Sequence, residues 1–222
     1  NVMAFPRDDN SAPVISNVRA NADTVPCFEK YELTFALPDR YTNPFDTNQV
    51  WVTASFSGPD GNTTEVFGYY GQDYYREIKA SEEFFSQQGA PYWRVRFAPS
   101  VEGKYTCTLK AGDTNGVTSW GPIEFTATKA ELPGFVRVSK TDPRHFEFDN
   151  GDFFFPIGHN IRSPYDKRMD DQFPWVQRWP EGPSAYERYL KDMSAHGENF
   201  VEIWSCAWSL GLEWSDQHPG YH

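Results

Sequence analysis

Cysteine is scarce in this chain: Cys27, Cys107 and Cys206 are its three among 222 residues. Three thiols exclude a dense disulfide framework and allow at most one pair with one left over. Basic charge is short too. Twenty Lys and Arg stand against 31 Asp and Glu, a net charge of −11, which argues against binding a phosphate backbone, so nucleic acid is not an expected partner. No run of 18 apolar residues occurs and the N-terminus has no basic-then-apolar pattern. Neither a membrane span nor a signal peptide is therefore expected. No metal or cofactor is expected. Between Pro13 and Thr128 no convincing amphipathic helix can be drawn.

What that stretch holds instead is alternation. Residues 1–12 are a polar lead-in, and then apolar residues recur at every second position. They do so at Tyr31, Leu33, Phe35 and Leu37, at Val50, Val52, Ala54 and Phe56, and at Trp93, Val95 and Phe97. Tyr105, Cys107 and Leu109 repeat the pattern, as do Ile123, Phe125 and Ala127. A period of two marks half-buried strands, and turn residues such as Pro59-Asp60-Gly61 and Gly121-Pro122 separate them. Residues 13–130 thus read as an all-β, Ig-like sandwich of roughly seven strands. Tyr105, two residues before Cys107 and just after a turn, has the pattern of a tyrosine corner. A Cys27–Cys107 disulfide and two buried free thiols are both compatible with these positions. Gly68 to Ala90 shows no alternation, and Ser81 to Gln87 suits a short helical turn. The length of that segment suggests a functional or domain-bridging loop whose tyrosines contact ligand or pack on a second domain.

After a linker at Lys129 to Gly134, residues 131–222 change character. Arg144 to Phe148 and the run from Phe153 flank Asn150-Gly151, a hairpin signal in which both turn residues would take positive φ. The run Phe153 to Asn160 reads FFFPIGHN. A helix is expected from Pro183 to His196, with Ser184 and Glu187 as a capping box and Gly197 as its stop. A second apolar run, Asn199 to Ser205, follows. Strand, helix and strand in that order make a βαβ unit, the first segment of a parallel sheet. From Gly151 onward there are 72 residues, whereas a closed (β/α)8 barrel takes roughly 250. The expectation is an incomplete barrel, its remainder supplied by a second or nicked chain. Trp175, Trp179, Trp204, Trp208 and Trp214 cluster here, more in the manner of a ligand surface than of a core.

Several stretches have a familiar look. Glu29-Lys30-Tyr31-Glu32, Asn43-Pro44-Phe45, Gly58-Pro59-Asp60-Gly61 and Trp93 to Pro99 resemble an Ig-like domain of unknown function. Such domains precede glycoside-hydrolase barrels in bacterial polysaccharide-degrading enzymes. Gly134 to Ser139, Phe148-Asp149-Asn150-Gly151 and Pro156 to Asn160 are similar to the opening of such a barrel. The resemblance implies a secreted or periplasmic bacterial protein, the N-terminal portion of a glycoside hydrolase acting on a polysaccharide or oligosaccharide. A non-catalytic carbohydrate-binding or adhesion module is the alternative. It further implies hydrolysis by two carboxylates at the ends of the fourth and seventh barrel strands. Glu198, Glu202 and Glu213 match neither position, so no catalytic residue is assigned in this chain. Gly197, Asn199, Val201 and Ile203 fit a second-strand pattern of similar barrels, but Glu202 stands where they carry Arg. Buried there, it would need a cation or a proton. For substrate contact the candidates are His159 and Asn160, Trp204, Ser205 and Trp208, and Trp175: polar groups and aromatic faces at strand ends suit a sugar.

Overall fold

The alternating segments become two facing sheets in the computed structural model, which describes residues 10–79, 82–161 and 185–204. The chain divides into two compact units, residues 1–73 with 88–153 and residues 74–87 with 154–222.

Strands β1 (Ser16–Ala20), β3 (Tyr31–Ala36), β6 (Tyr69–Lys79) and β7 (Glu82–Phe97) form a sheet ordered β1-β3-β7-β6, of which residues 74–79 and 82–87 fall in the second unit. The second sheet contains β2 (Thr24–Pro26), β4 (Trp51–Ser57), β5 (Thr63–Phe67), β8 (Gly103–Asp113) and β9 (Gly116–Thr128), ordered β2-β9-β8-β4-β5. Inward residues of both sheets form one core. Tyr31, Leu33, Val95, Cys107 and Leu109 have no exposed surface at all. Tyr31 stacks on Phe125 with centroids 3.8 Å apart, and Phe56 stacks on Phe97 at 4.3 Å. Each such ring removed from water contributes roughly 1.5–3 kcal/mol. The corner at Tyr105 forms: its hydroxyl accepts the Val101 N–H at 3.3 Å. Cys27 and Cys107 are buried free thiols, and burial pushes Cys107 up to about 12. Cys206 lies outside the described residues.

Nine strands make up the two sheets, more than the seven that alternation suggests, and β6 with the outer half of β7 accounts for much of the surplus. Residues 82–87 are extended within β7 rather than a helical turn. Tyr74, Tyr75, Ile78, Phe84 and Phe85 are all exposed. With no buried face, the segment has no reason to alternate, and its strands are invisible to a period-two search.

Three short strands, β10 (Arg137–Val138), β11 (Phe146–Glu147) and β12 (Phe153–Phe154), form a small sheet ordered β10-β11-β12. The turn at Asn150-Gly151 differs from the expected one. Phe148 N–H donates to the Asp152 carbonyl, leaving a three-residue loop in which Gly151 alone has positive φ, at 90°. That is the hairpin of a type I turn closed by a left-handed glycine.

The second unit contains helix α1 (Ala185–Ala195) and the parallel pair β13 (Gly158–Ile161) and β14 (Phe200–Ile203). The parallel strand thus begins later than the run from Phe153 suggested. Pro156 has no N–H to give a ladder, and it separates the β12 pairing from β13. Gly197 ends α1 at φ 78°, its N–H reaching Ser194 O while the Glu198 N–H reaches Met193 O. This pair of bonds is a Schellman cap. Ser184 lies outside the described residues, and the Glu187 carboxylate binds the Arg76 guanidinium in two places, at 2.5 and 3.0 Å. Among the described residues from 158 onward there are two strands and one helix, and no barrel.

Candidate functional site

Gly158 permits the close approach of β13 and β14, because a Cβ there would overlap the Phe200 carbonyl oxygen. Asn199 extends the ladder: its Oδ1 accepts the Ile157 N–H at 2.9 Å and its Nδ2 donates to Phe155 O at 3.1 Å. The register pairs His159 with Val201, Asn160 with Glu202, and Ile161 with Ile203. In a parallel pair, partnered residues share a face and neighbours alternate. Asn160 and Glu202 therefore occupy one face, together with Phe200, while His159 shares the other with Ile161.

The strand-end candidates consequently do not form a single cluster. His159 turns to Glu198, with Nδ1 2.6 Å from Oε2. A carboxylate accepts, so Nδ1 carries the proton and Nε2 is the nitrogen left for another partner. Asn160 and Glu202 are exposed side by side, and Trp204, 45% exposed, continues from the end of β14. Among the described residues no cation pairs with Glu202. Exposure makes that tolerable, since an exposed carboxylate keeps its hydration, and burial is what would demand a partner. Ser205, Trp208 and Trp175 lie outside the described residues. Among the described residues no group of His, Cys, Asp and Glu could hold a metal ion.

The sandwich carries a concave feature that alternation and motif spacing do not reveal. An open groove of about 420 Å³ lies where β5 passes into β6, walled by Phe45, Trp51, Phe67, Tyr69 and Tyr70 over Val52 and Trp93. Gly68 makes the passage between the sheets; its N–H donates to Val52 O at 2.9 Å, and a Cβ would meet Val52 Cγ1 at 2.5 Å. Phe45 meets Tyr70 edge to face at 5.8 Å, and Tyr70 in turn lies 5.6 Å from Trp93. The signal in the sequence was Phe67-Gly68-Tyr69-Tyr70 beside Asn43-Pro44-Phe45, but only tertiary contact joins the two.

Charged groups nearby serve the fold. Asp113 accepts from Arg40 and from the Tyr41 hydroxyl, the latter at 3.0 Å. Burial alone would raise Asp113, but the Asn115 N–H, Arg40 and Tyr41 hold it below the ordinary carboxylate value. Asp73 binds Tyr92 and Arg94, and these bonds likewise lower it.

Residues 24–112 match the profile of a family described as a domain of unknown function (DUF5060). Among solved structures the chain is similar to a candidate glycoside hydrolase from Bacteroides vulgatus, at 20% identity and a TM-score of 0.52. That likeness covers 82% of this chain and 28% of the other, so the chain spans little more than a quarter of that protein's length. At such identity the likeness speaks for fold alone. A second similarity is to the Pseudomonas fluorescens alkylpurine DNA glycosylase AlkC bound to DNA, at 15% identity and a TM-score of 0.32. It covers 54% of this chain and 31% of that one, a superposition too loose to carry an argument. No curated protein matches.

Proposed function

We propose that this chain is the N-terminal portion of a glycoside hydrolase acting on a polysaccharide or oligosaccharide, its sandwich supporting a catalytic barrel that β13 and β14 begin. The observation that carries this reading is the fold likeness to the Bacteroides vulgatus candidate glycoside hydrolase, which extends over 82% of the chain and so past the sandwich. The strand ends add chemical support. Asn160 offers both a donor and an acceptor to sugar hydroxyls, the Nε2 of His159 offers a further hydrogen-bonding position, and Trp204 offers a flat apolar face.

In this reading the acid that protonates the leaving oxygen and the carboxylate that attacks or activates water come from later strands. Those strands also cover Phe155, Ile157 and Phe200, which are 63%, 53% and 46% exposed here. The covering polypeptide would be the remainder of the barrel, on the same gene product or on a nicked second chain, and the protein would act in the periplasm or outside the cell. Native mass spectrometry of material isolated from the source should find a further segment of roughly 200 residues or more, on the barrel-size estimate. The intact protein should then release reducing ends from a polysaccharide, and Asn160→Ala or Trp204→Ala should lower that rate. Full rates in both variants, or no release from any polysaccharide, would overturn the reading.

One observation favours a second reading, a non-catalytic carbohydrate-binding module. Glu202 has no cation among the described residues, where similar barrels carry Arg. Sugar binding without hydrolysis by the intact protein would decide for it.

A further inference from the structure

We infer that the groove at the β5–β6 passage is a carbohydrate-binding site of the sandwich itself, and that its ligand is a neutral polysaccharide. Phe67 is 82% exposed and Phe45 is 73% exposed, far more than the core rings a few ångströms below. A monomeric surface gains nothing from two phenyl rings of one groove held in water, and exposed rings lining a groove above a rigid floor mark a ligand surface. The floor is rigid because Val50, Val52 and Trp93 are 1%, 2% and 5% exposed and belong to the core. Tyr69 is held in place by the Arg96 guanidinium, 5.3 Å from its ring centroid.

The lining chooses among ligands. Pro44, Phe45, Thr47, Trp51, Phe67, Tyr69 and Tyr70 supply rings and hydroxyls, and no charged side chain lines the groove. An anionic polysaccharide would find no charged side chain in the lining, and the Arg96 beside Tyr69 is already paired with Glu32 at 2.5 Å, on a protein whose net charge is −11. A phosphate ester would fare no better. A neutral pyranose presents one face of C–H groups to an aromatic ring and its hydroxyls around the rim. The hydroxyls of Tyr69 and Tyr70 bond to no other described residue, so both are free to pair with that rim. At about 420 Å³ the groove falls within the size of small-ligand sites, and it is open enough for a chain to run through. The choice of sugar as ligand rests on the polysaccharide reading above, whereas the site and its test involve no hydrolysis, so either can fail alone.

The test uses the 222-residue chain in native gels containing laminarin, hydroxyethylcellulose, arabinoxylan or galactan, with alginate and polygalacturonate as anionic counterparts. Affinities for the polysaccharide that retards migration are then measured by calorimetry. At least one neutral polysaccharide should retard the wild type, and Phe67→Ala and Phe45→Ala should each weaken binding roughly tenfold or more, as loss of an aromatic anchor does. Phe67→Tyr should retain binding. Val117→Ala, at an exposed position outside the groove, should bind as the wild type does. Near-UV circular dichroism of every variant should overlay the wild type, because neither phenyl ring is part of the core. The inference is overturned if no neutral polysaccharide binds, if the anionic ones alone bind, or if Phe67→Ala binds undiminished. It is overturned equally if the wild type self-associates and Phe67→Ala makes it monomeric without a change in sugar binding, for then a second copy is the occupant.

Discussion

The sandwich and the C-terminal strands use the same kinds of side chain and treat them in opposite ways. Leu33, Phe35, Val95 and Leu109 are 0–2% exposed, whereas Phe153 and Phe155 are 63% exposed and Ile157 is 53% exposed. Local sequence does not account for this, since both regions combine apolar runs with good turn signals. The difference is the number of layers. Two facing sheets give each inward residue a partner, while the described two parallel strands and one helix leave large apolar side chains exposed. An apolar run is a demand for burial, and among the described residues the sandwich meets it far more fully than the run at Phe153 to Ile157 does.

The widest contrast comes from cutting one ring in each region. Phe56→Ala, at 1% exposure and stacked on Phe97, should destabilise the sandwich by about 3–5 kcal/mol in urea denaturation. Phe155→Ala should shift the same curve by less than about 0.5 kcal/mol. Equal shifts would mean that the two regions unfold as one and that the contrast is false.

Next in size is the ion pair under the sandwich. Asp113 has 3% of its side chain exposed and Arg40 has 19%. Arg40→Ala should cost about 2 kcal/mol, because it leaves a buried carboxylate with only Tyr41 and backbone N–H partners. The pH dependence follows from the sign. Asp113 titrates in the folded state below its ordinary 3.8. Its contribution is thus present above that value and is lost as pH falls through the lower, folded one. Wild-type stability should decline on acidification below about pH 4, and the Arg40→Ala curve should be flatter there. Parallel curves would remove Asp113 from the account.

Tyr31→Phe runs the other way. The Tyr31 hydroxyl is buried with no hydrogen-bond partner in the described structure, and burial pushes its pKa up to about 12. Removing an unsatisfied hydroxyl while keeping the ring should leave stability unchanged or raise it by up to about 1 kcal/mol. A loss of stability would show a partner for that oxygen, such as a buried water.

Smallest of all is the Arg76–Glu187 pair, whose side chains are 37% and 65% exposed. Arg76→Ala should leave the unfolding midpoint in place and show only as faster hydrogen exchange in the first turn of α1. A moved midpoint would make that contact a stabilising joint of the C-terminal unit.

By itself the sequence determined the strands with one wet and one buried face. Tyr31 to Phe35, Val52 to Phe56 and Tyr105 to Leu109 alternate because each packs on the opposite sheet, and burial writes its own period into the chain. It also determined the corner at Tyr105 and the end of α1 at Gly197, where a single residue type meets a single backbone need. Tertiary structure decided the rest. The outer parts of β6 and β7 bury neither face, so nothing in their residues recorded a strand. The turn at Asn150-Gly151 took a three-residue form because the pairing of Phe148 with Asp152 sets its length, and a dipeptide does not encode that. His159 and Asn160 are neighbours in the chain, but strand alternation sends them to opposite faces, one toward Glu198 and the other beside Glu202. The groove joins Phe45 to Phe67 across 22 positions of sequence. Such a site exists only once two sheets face each other, because concavity belongs to packed surfaces and leaves no trace in any single stretch of chain.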